Sequence, residues 1–407
     1  MSDIDTFDVA VVGAGVIGLC ASILLVQRGY RVTLIDPVLD LPELPESFDL
    51  RTYALTPASM RVLTHMGLRE ALRNDRIADF VGMRVWAAKS AATVDFSAAA
   101  LGRECLGHIV EHANLMRALH RGLSGCDQLK QCAARVQRLD SGADDIRLSL
   151  DTGDCVRASL VLGCDGMNSQ LRKLMSIESN ISSYAQHAVV CNVQTEHAHG
   201  GIARQRFLTN GPLAFLPLAE KCSSAVVWTT TPDEAARAAN TPEIAFQGML
   251  RNAFDDVLGS VIASSERLVL PLQKLHVGRY CAGRTVLLGD AAHVIHPLAG
   301  QGLNLGLMDV AALTQSLGSY EELTLEYPTA ALRRFERMRR SENLAMLNLT
   351  DRLNQLFRTE KFWITRARSV AMAALDRATP LKQWMMLRAM GEVGDVPDIA
   401  ALDVTLR

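Results

Sequence analysis

Phe7-Asp8-Val9-Ala10-Val11-Val12-Gly13-Ala14-Gly15-Val16-Ile17-Gly18 decides the fold. Its apolar first half reads as a buried strand, and the glycines that follow open an apolar helix running to about Arg28. Gly29 ends that helix, as glycine often does. Val32 to Ile35 reads as a second strand with Asp36 at its end, so the chain opens on a βαβ unit. The spacing Gly13-x-Gly15-x-x-Gly18 allows a tight turn, close approach of a pyrophosphate and close helix–strand packing. The helix N-terminus offers free N–H groups to phosphate, and Asp36 can accept from ribose hydroxyls. The unit predicts dinucleotide binding.

Two later segments repeat the pattern of a buried strand ending in a Gly-Asp turn. Asp165-Gly166 follows Leu160 to Leu162, and Gly289-Asp290 follows Val286 to Leu288. Carboxyl ends of parallel strands form the ligand crevice of an open α/β sheet. Three such ends, far apart in sequence, point to one nucleotide. The run His296-Pro297-Leu298-Ala299-Gly300-Gln301-Gly302-Leu303-Asn304-Leu305-Gly306 then leads into another helix. Its N-terminus can stabilise negative charge developing on a ring.

Working outward, 407 residues allow two or three domains at roughly 100–200 residues each. With 49% hydrophobic and 21% charged residues and a net charge of −2, the chain is neither disordered nor a basic nucleic-acid binder. No apolar stretch reaches the ~18 residues that mark a membrane span. The acidic start Met1-Ser2-Asp3-Ile4-Asp5 is unlike a secretory signal. Nine scattered cysteines without a CxxC pair read as free thiols in a reducing compartment. The expectation is therefore a cytoplasmic protein. No metal site is expected, since His197 and His199 lie in a polar loop without further ligand spacing and read as solvent-exposed.

Between the nucleotide motifs, residues 182–231 change to period-two alternation. Arg206 to Thr209, Leu213 to Leu218 and Ala225 to Thr230 read as antiparallel strands, with Asn210-Gly211 as a hairpin turn. A helix is expected from Thr241-Pro242 to about Leu258. Phe215, Leu216, Pro217 and Leu218 could floor an apolar substrate pocket, or alternate residues of this strand could simply face the core. Residues 327–390 read as helices and carry thirteen Lys/Arg against five Asp/Glu. That is a local excess of eight positive charges in a chain whose remainder is acidic. With Phe362, Trp363 and Trp384 interspersed, the segment could lie on an anionic membrane surface, the alternative being a solvated helical face.

The order GxGxxG, Arg51-x-x-Ala54-Leu55, Asp165-Gly166-x-x-Ser169-x-x-Arg172, Gly289-Asp290-Ala291-Ala292-His293 resembles the aromatic flavin monooxygenases of the p-hydroxybenzoate hydroxylase fold. The run from His296 to Gly306 with Asp309 resembles the narrower signature of the FAD-dependent hydroxylases of ubiquinone biosynthesis. Leu106-Gly107-His108-Ile109-Val110-Glu111 and the segment Leu213 to Leu218 are also similar to that family. The resemblance implies an α/β fold: a Rossmann-like FAD-binding domain (1–75, 100–178, 270–325), an inserted β-sheet (α+β) substrate domain (76–99, 179–269) and a C-terminal helical region (326–407).

It also implies roles. Gly13, Gly15 and Gly18 would hold the FAD pyrophosphate, Asp36 the adenosine ribose, and Arg51 phosphate or ribityl oxygens. Gly289-Asp290 would bind the ribityl chain, and Asp165-Gly166 would contribute to flavin and nicotinamide handling. Pro297, Gly300, Gln301, Gly302 and Asn304 would line the isoalloxazine ring. His296 and Pro297 face the flavin in this reading. His296 reads as a hydrogen-bonded structural residue, with a role in proton transfer as the alternative, and His293 as structural. The implied reaction is ring hydroxylation of a polyprenylated phenol, with O2 as co-substrate and a reduced nicotinamide or another electron donor. The C5 position is slightly favoured on His296-Pro297. Implied partners are the membrane surface or other quinone-biosynthesis proteins, with homo-oligomers left open. A flavin monooxygenase acting on a small aromatic acid, and a prenyl-group-binding protein of related fold without redox chemistry, are the alternatives.

Overall fold

The computed structural model describes residues 5–88, 92–320, 329–359 and 361–402. The opening pattern folds as read. Strand Asp5–Val12 leads into helix Val16–Gln27 and then strand Val32–Ile35. Asp5–Val12 lies between Val32–Ile35 and Cys155–Gly163, parallel to both. Leu129–Cys132 continues the parallel sheet on one side and Thr285–Leu287 on the other. Helix Val16–Gln27 is apolar all round because it is enclosed, with Leu19, Ile23, Leu24 and Leu25 at 2% exposure or less. Sheet and helices share one large core.

A second, mostly antiparallel sheet is built on the long strand Ser179–Thr195, which pairs with Ser223–Thr230, Val261–Ser264 and Leu268–Val277. Gly211–Pro217, Ile202–Leu208, Gly82–Ala87 and Thr93–Ser97 extend it. Leu268–Val277 carries this sheet past residue 269. Ile77–Phe80 does not join it but pairs with Gly107–Glu111 in a small sheet that also holds Thr52–Leu55. The hairpin turn falls on Thr209-Asn210, one residue earlier than the Asn-Gly pair suggests, because Leu208 pairs directly with Gly211. The helix expected to reach Leu258 ends at Ala253. Asp255 and Asp256 there adopt φ of +57° and +58°, which a right-handed helix cannot continue.

Local chemistry sets the other boundaries. Thr56 caps helix Pro57–His65 by accepting from Ser59 N–H, with Pro57 at the first turn. Ser169 caps Gln170–Leu174 in the same way. Near the C-terminus stand the helices Thr329–Arg358, Phe362–Arg377 and Thr379–Ala389. They pack back on the nucleotide domain: Arg61 Nε donates to Ala400 O at 2.7 Å, and Glu392 bridges Arg61 and Arg103. Among the described residues, no helix is long and apolar enough to cross a membrane.

Candidate functional site

The strand ends meet at one cleft, and backbone hydrogen bonds hold them together. Gly13 N–H donates to Ile35 O at 2.9 Å, Cys164 N–H to Val12 O at 2.7 Å, and Leu288 N–H to Gly163 O at 3.0 Å. Arg172, 3% exposed, donates to Ala291 O and Met167 O and so ties the Asp165-Gly166 loop to the Gly289 turn. The site is therefore the meeting of three turns.

Two glycines in the first turn are dictated by contact. A Cβ on Gly18 would lie 1.8 Å from Gly13 O, and one on Gly13 (φ +107°) would lie 2.4 Å from Cys164 O. Gly15 differs: a Cβ there would meet nothing within 4 Å. It opens on the cleft at the helix N-terminus, where no side chain caps the first N–H groups. Asp36 closes the turn from below, its Oδ2 accepting from Ala14 N–H and its Oδ1 from Val38 N–H, both at 2.8 Å. A carboxylate has further lone pairs for a ribose hydroxyl.

Asp165 Oδ2 accepts from Gln170 and Leu171 N–H, while its buried Oδ1 has no protein partner. Asp290 reaches the cleft surface, yet the density of protein around it pushes its carboxyl up, against His293 and Arg51. Its turn is fixed by Asp309, which is fully buried and accepts from His293 Nε2 at 2.5 Å and from Gly289 N–H at 3.3 Å. His293 is thus structural, as read. Arg51 is exposed and stacks over the Tyr53 ring at 5.5 Å. Burial pushes the Tyr53 hydroxyl up to about 12, and it hydrogen-bonds His112 Nδ1 at 2.9 Å.

The second glycine-rich run forms the opposite wall. Gly300 takes φ +60°, where a Cβ would lie 3.1 Å from Ala54 Cβ, and Gly302 opens helix Gly302–Leu317, whose N-terminus also lacks a side-chain cap. Ile17 of the first helix packs on Gly289 and Gly306, which brings the two helix N-termini to one cleft. Pro297 and Gly300 are exposed, and Gln301 and Gly302 partly so.

Four expected site residues are placed differently. Asn304 does not offer its amide to a ring: Oδ1 accepts from Thr56 N–H, and Nδ2 donates to Ala54 O and Gly300 O. It positions the wall and is 3% exposed. His296 is fully buried behind the turn, 3.4 Å from Gln186 Oε1 and edge-on to Tyr184, and burial lowers its imidazole to about 4. It is a neutral structural residue with no face on the cleft. Phe215 lies on the far side of its sheet, stacked on Phe254 at 3.9 Å among Trp86, Leu213 and Leu250, and the strand's alternation puts Pro217 on that same side. The opposite face, Leu216 with Leu218, packs with Ala54, Ile109 and Phe80 toward the Gly300 wall. Leu216 and Leu218 are the two of the four candidates that keep a place near the site. His199 is buried rather than solvent-exposed, its Nε2 near Leu218 O and Glu220 O.

The cleft fits FAD. An open glycine and an uncapped helix end suit a pyrophosphate, Asp36 suits a ribose, and the orphaned Asp165 Oδ1 and the desolvated Asp290 await polar partners. A family profile described as an FAD binding domain matches residues 6–341. The chain is 35% identical to the ubiquinone hydroxylase UbiL of Rhodospirillum rubrum over 94% of its length and 89% of that protein's. It is 32% identical to the 3-demethoxyubiquinol 3-hydroxylase of Escherichia coli, over 94% and 98% respectively. Among solved structures, p-nitrophenol 4-monooxygenase PnpA of Pseudomonas putida superposes with a TM-score of 0.75 at 19% identity, covering 95% of this chain and 99% of that one. PqsL of Pseudomonas aeruginosa does so with 0.74 at 22%, covering 90% and 99%. Cleft, profile and relatives agree: the chain belongs to the FAD-dependent hydroxylase family of ubiquinone biosynthesis and is an FAD-dependent monooxygenase.

Proposed function

We propose that this chain hydroxylates the ring of a polyprenylated phenol in ubiquinone biosynthesis. The likeness to ubiquinone hydroxylases along nearly the whole chain carries the reading. O2 is the co-substrate, and a reduced nicotinamide or another donor supplies the electrons. Bound and reduced, FAD supplies activation of O2 and transfer of one oxygen atom to an electron-rich ring carbon. The chain's own residues bind, orient and exclude water. Gly15 and the first helix N-terminus hold the pyrophosphate, Asp36 the ribose, and Asp290 the ribityl hydroxyls. The N-terminus of helix Gly302–Leu317 stabilises negative charge on the ring. The Leu216–Leu218 face supplies apolar surface to the substrate side, which favours a prenyl phenol over a small carboxylic acid.

A lipid-tailed substrate resides in a bilayer, and the C-terminal helices suit contact with one. Phe362, Trp363 and Trp384 are 62%, 79% and 51% exposed, beside Lys361, Arg366 and Arg377. This patch docks the enzyme on the anionic membrane surface. The C5 preference rests on His296-Pro297, and with His296 buried behind the turn the ring carbon is read from the product. The test is direct. Purified flavoprotein, a reductant, a short-chain prenylphenol and isotopically labelled O2 should give a hydroxylated product carrying one labelled oxygen. Bound flavin that is reduced and reoxidised without any such product overturns the proposal.

A further inference from the structure

On the face of the small sheet opposite Ala54 and Ile109 stands a second arrangement of reactive groups. Gly107–Glu111 is its middle strand, and His108 stands opposite Asp79 across one edge. His108 Nδ1 lies 2.6 Å from Asp79 Oδ1, so the protonated nitrogen donates to the carboxylate. That fixes the tautomer and leaves Nε2 to face a different partner. The partner is Cys105, three residues earlier, whose Sγ lies 3.8 Å from Nε2. Leu106 N–H donates to Phe80 O at 2.8 Å and holds the strand entry so that the thiol is presented to the ring.

The three groups thus form a chain in which a carboxylate orients an imidazole and the imidazole faces a thiol. This is the connectivity of an activated cysteine nucleophile. Exposure grades along it: the Asp79 side chain is 60% exposed, that of His108 15%, and Cys105 is partly buried. Burial pulls the His108 imidazole down, but Asp79 and Cys105 outweigh it and hold it up at about 9. Arg69 is the other charged group facing Asp79.

We propose that Cys105 is a nucleophilic thiol, activated by His108 and oriented through it by Asp79, and a site of covalent modification by Michael acceptors. Sγ reacts as the thiolate partner of the imidazolium, its proton already held at His108 Nε2. Sγ then forms a bond to the β-carbon of the acceptor, the C=C π pair moves to the α-carbon, and that carbon takes a proton. No oxidant is required, and the inference does not depend on the hydroxylase reading.

N-ethylmaleimide on the FAD-loaded full chain is the probe, with adducts located by peptide mass spectrometry. Cys155 sits 3.3 Å from Arg147, so Cys155→Ser is the background for every protein compared. The partly exposed Cys222 is the internal reference. At neutral pH Cys105 should react about tenfold faster than Cys222. His108→Gln and Asp79→Asn should each bring the rate back toward that of Cys222, with unchanged circular dichroism. The parent protein gives an independent reading should either variant misfold: between about pH 6 and 8 its Cys105 rate should vary less with pH than that of Cys222. A Cys105 rate equal to that of Cys222, or one that follows pH as Cys222 does, overturns the proposal.

Discussion

Arg339 Nε donates to Asp309 Oδ1 at 2.8 Å, with the two side chains 4% and 0% exposed. Asn343 Nδ2 donates to the same carboxylate oxygen at 3.0 Å and to the Tyr280 hydroxyl at 3.2 Å. Helix Thr329–Arg358 therefore reaches into the nucleotide domain and neutralises the carboxylate that holds Gly289. Removing one partner of a buried pair leaves an uncompensated charge. Arg339→Met should destabilise the protein by about 3–5 kcal/mol in urea unfolding and weaken FAD retention. Arg339→Lys should recover part of both, since it keeps the charge without the planar fork.

The same region sets the acid limb of stability. Burial raises the Asp309 carboxyl, but His293 and Arg339 outweigh it and bring it down to about 2. A carboxyl lowered on folding contributes stability above its unfolded value, which is lost as pH falls toward the folded one. His296 is lowered by burial from 6.5 to about 4, so the unfolded chain binds a proton there first. Its contribution is lost between those two values as pH falls. Unfolding free energy measured from pH 7 to pH 3 should therefore already decline below about 6.5. His296→Gln should flatten the upper part of that decline, and Asp309→Asn the lower part.

Gly15 and Gly18 should separate binding from folding. Gly15→Ala projects a methyl into the cleft with no protein atom within 4 Å, so Tm should hold while FAD affinity drops by about tenfold or more. Gly18→Ala drives a methyl into Gly13 O and should cost several degrees or prevent folding. Thermal unfolding paired with flavin-fluorescence titration distinguishes them.

Asn304→Asp replaces two donated hydrogen bonds with a carboxylate facing Ala54 O and Gly300 O. The variant should lose roughly 1–3 kcal/mol from the unsatisfied carbonyls, and more if the charge cannot reach solvent. Flavin binding should fall with stability, because the residue acts through the wall it holds. Asn304→Ser should lie between the variant and the parent.

The aromatic patch can be tested without touching the cleft. Phe362→Ser with Trp363→Ser and Trp384→Ser should cut co-sedimentation with anionic vesicles several-fold. Turnover of a water-soluble prenylphenol should stay the same. Equal vesicle binding by parent and variant would remove this surface as the docking site.

The cofactor cradle was legible because its determinants are local. Gly13, Gly15, Gly18 and Asp36 fall within one βαβ unit, and Thr56 and Ser169 cap helices that begin beside them. What escaped depends on distance or on a second packing face. The strand Gly211–Pro217 has apolar residues on both sides because helices cover one face and the small sheet the other. Its alternation therefore cannot say which face meets the substrate, and the structure resolves the two readings by putting Phe215 in the core and Leu216 toward the site. Arg339 lies in the basic run Arg333 to Arg340, which reads as a solvated face, yet it is 3% exposed. Its partner stands thirty residues earlier, a separation no local pattern reports. His199 and Asn304 gave no sign in the sequence that backbone groups elsewhere would claim their side chains.

The clamp between Asp309 and Arg339 also bears on the order in which the protein matures. During synthesis the glycine-rich turn leaves the ribosome first, but its third strand-end turn lacks its counter-charge until helix Thr329–Arg358 has emerged. Helix Pro57–His65 likewise waits for Ala400, which accepts from Arg61 near the end of the chain. A nascent chain can form the opening βαβ unit early, yet the nucleotide cleft gains its full set of buried partners only once residues 339 and 400 have emerged.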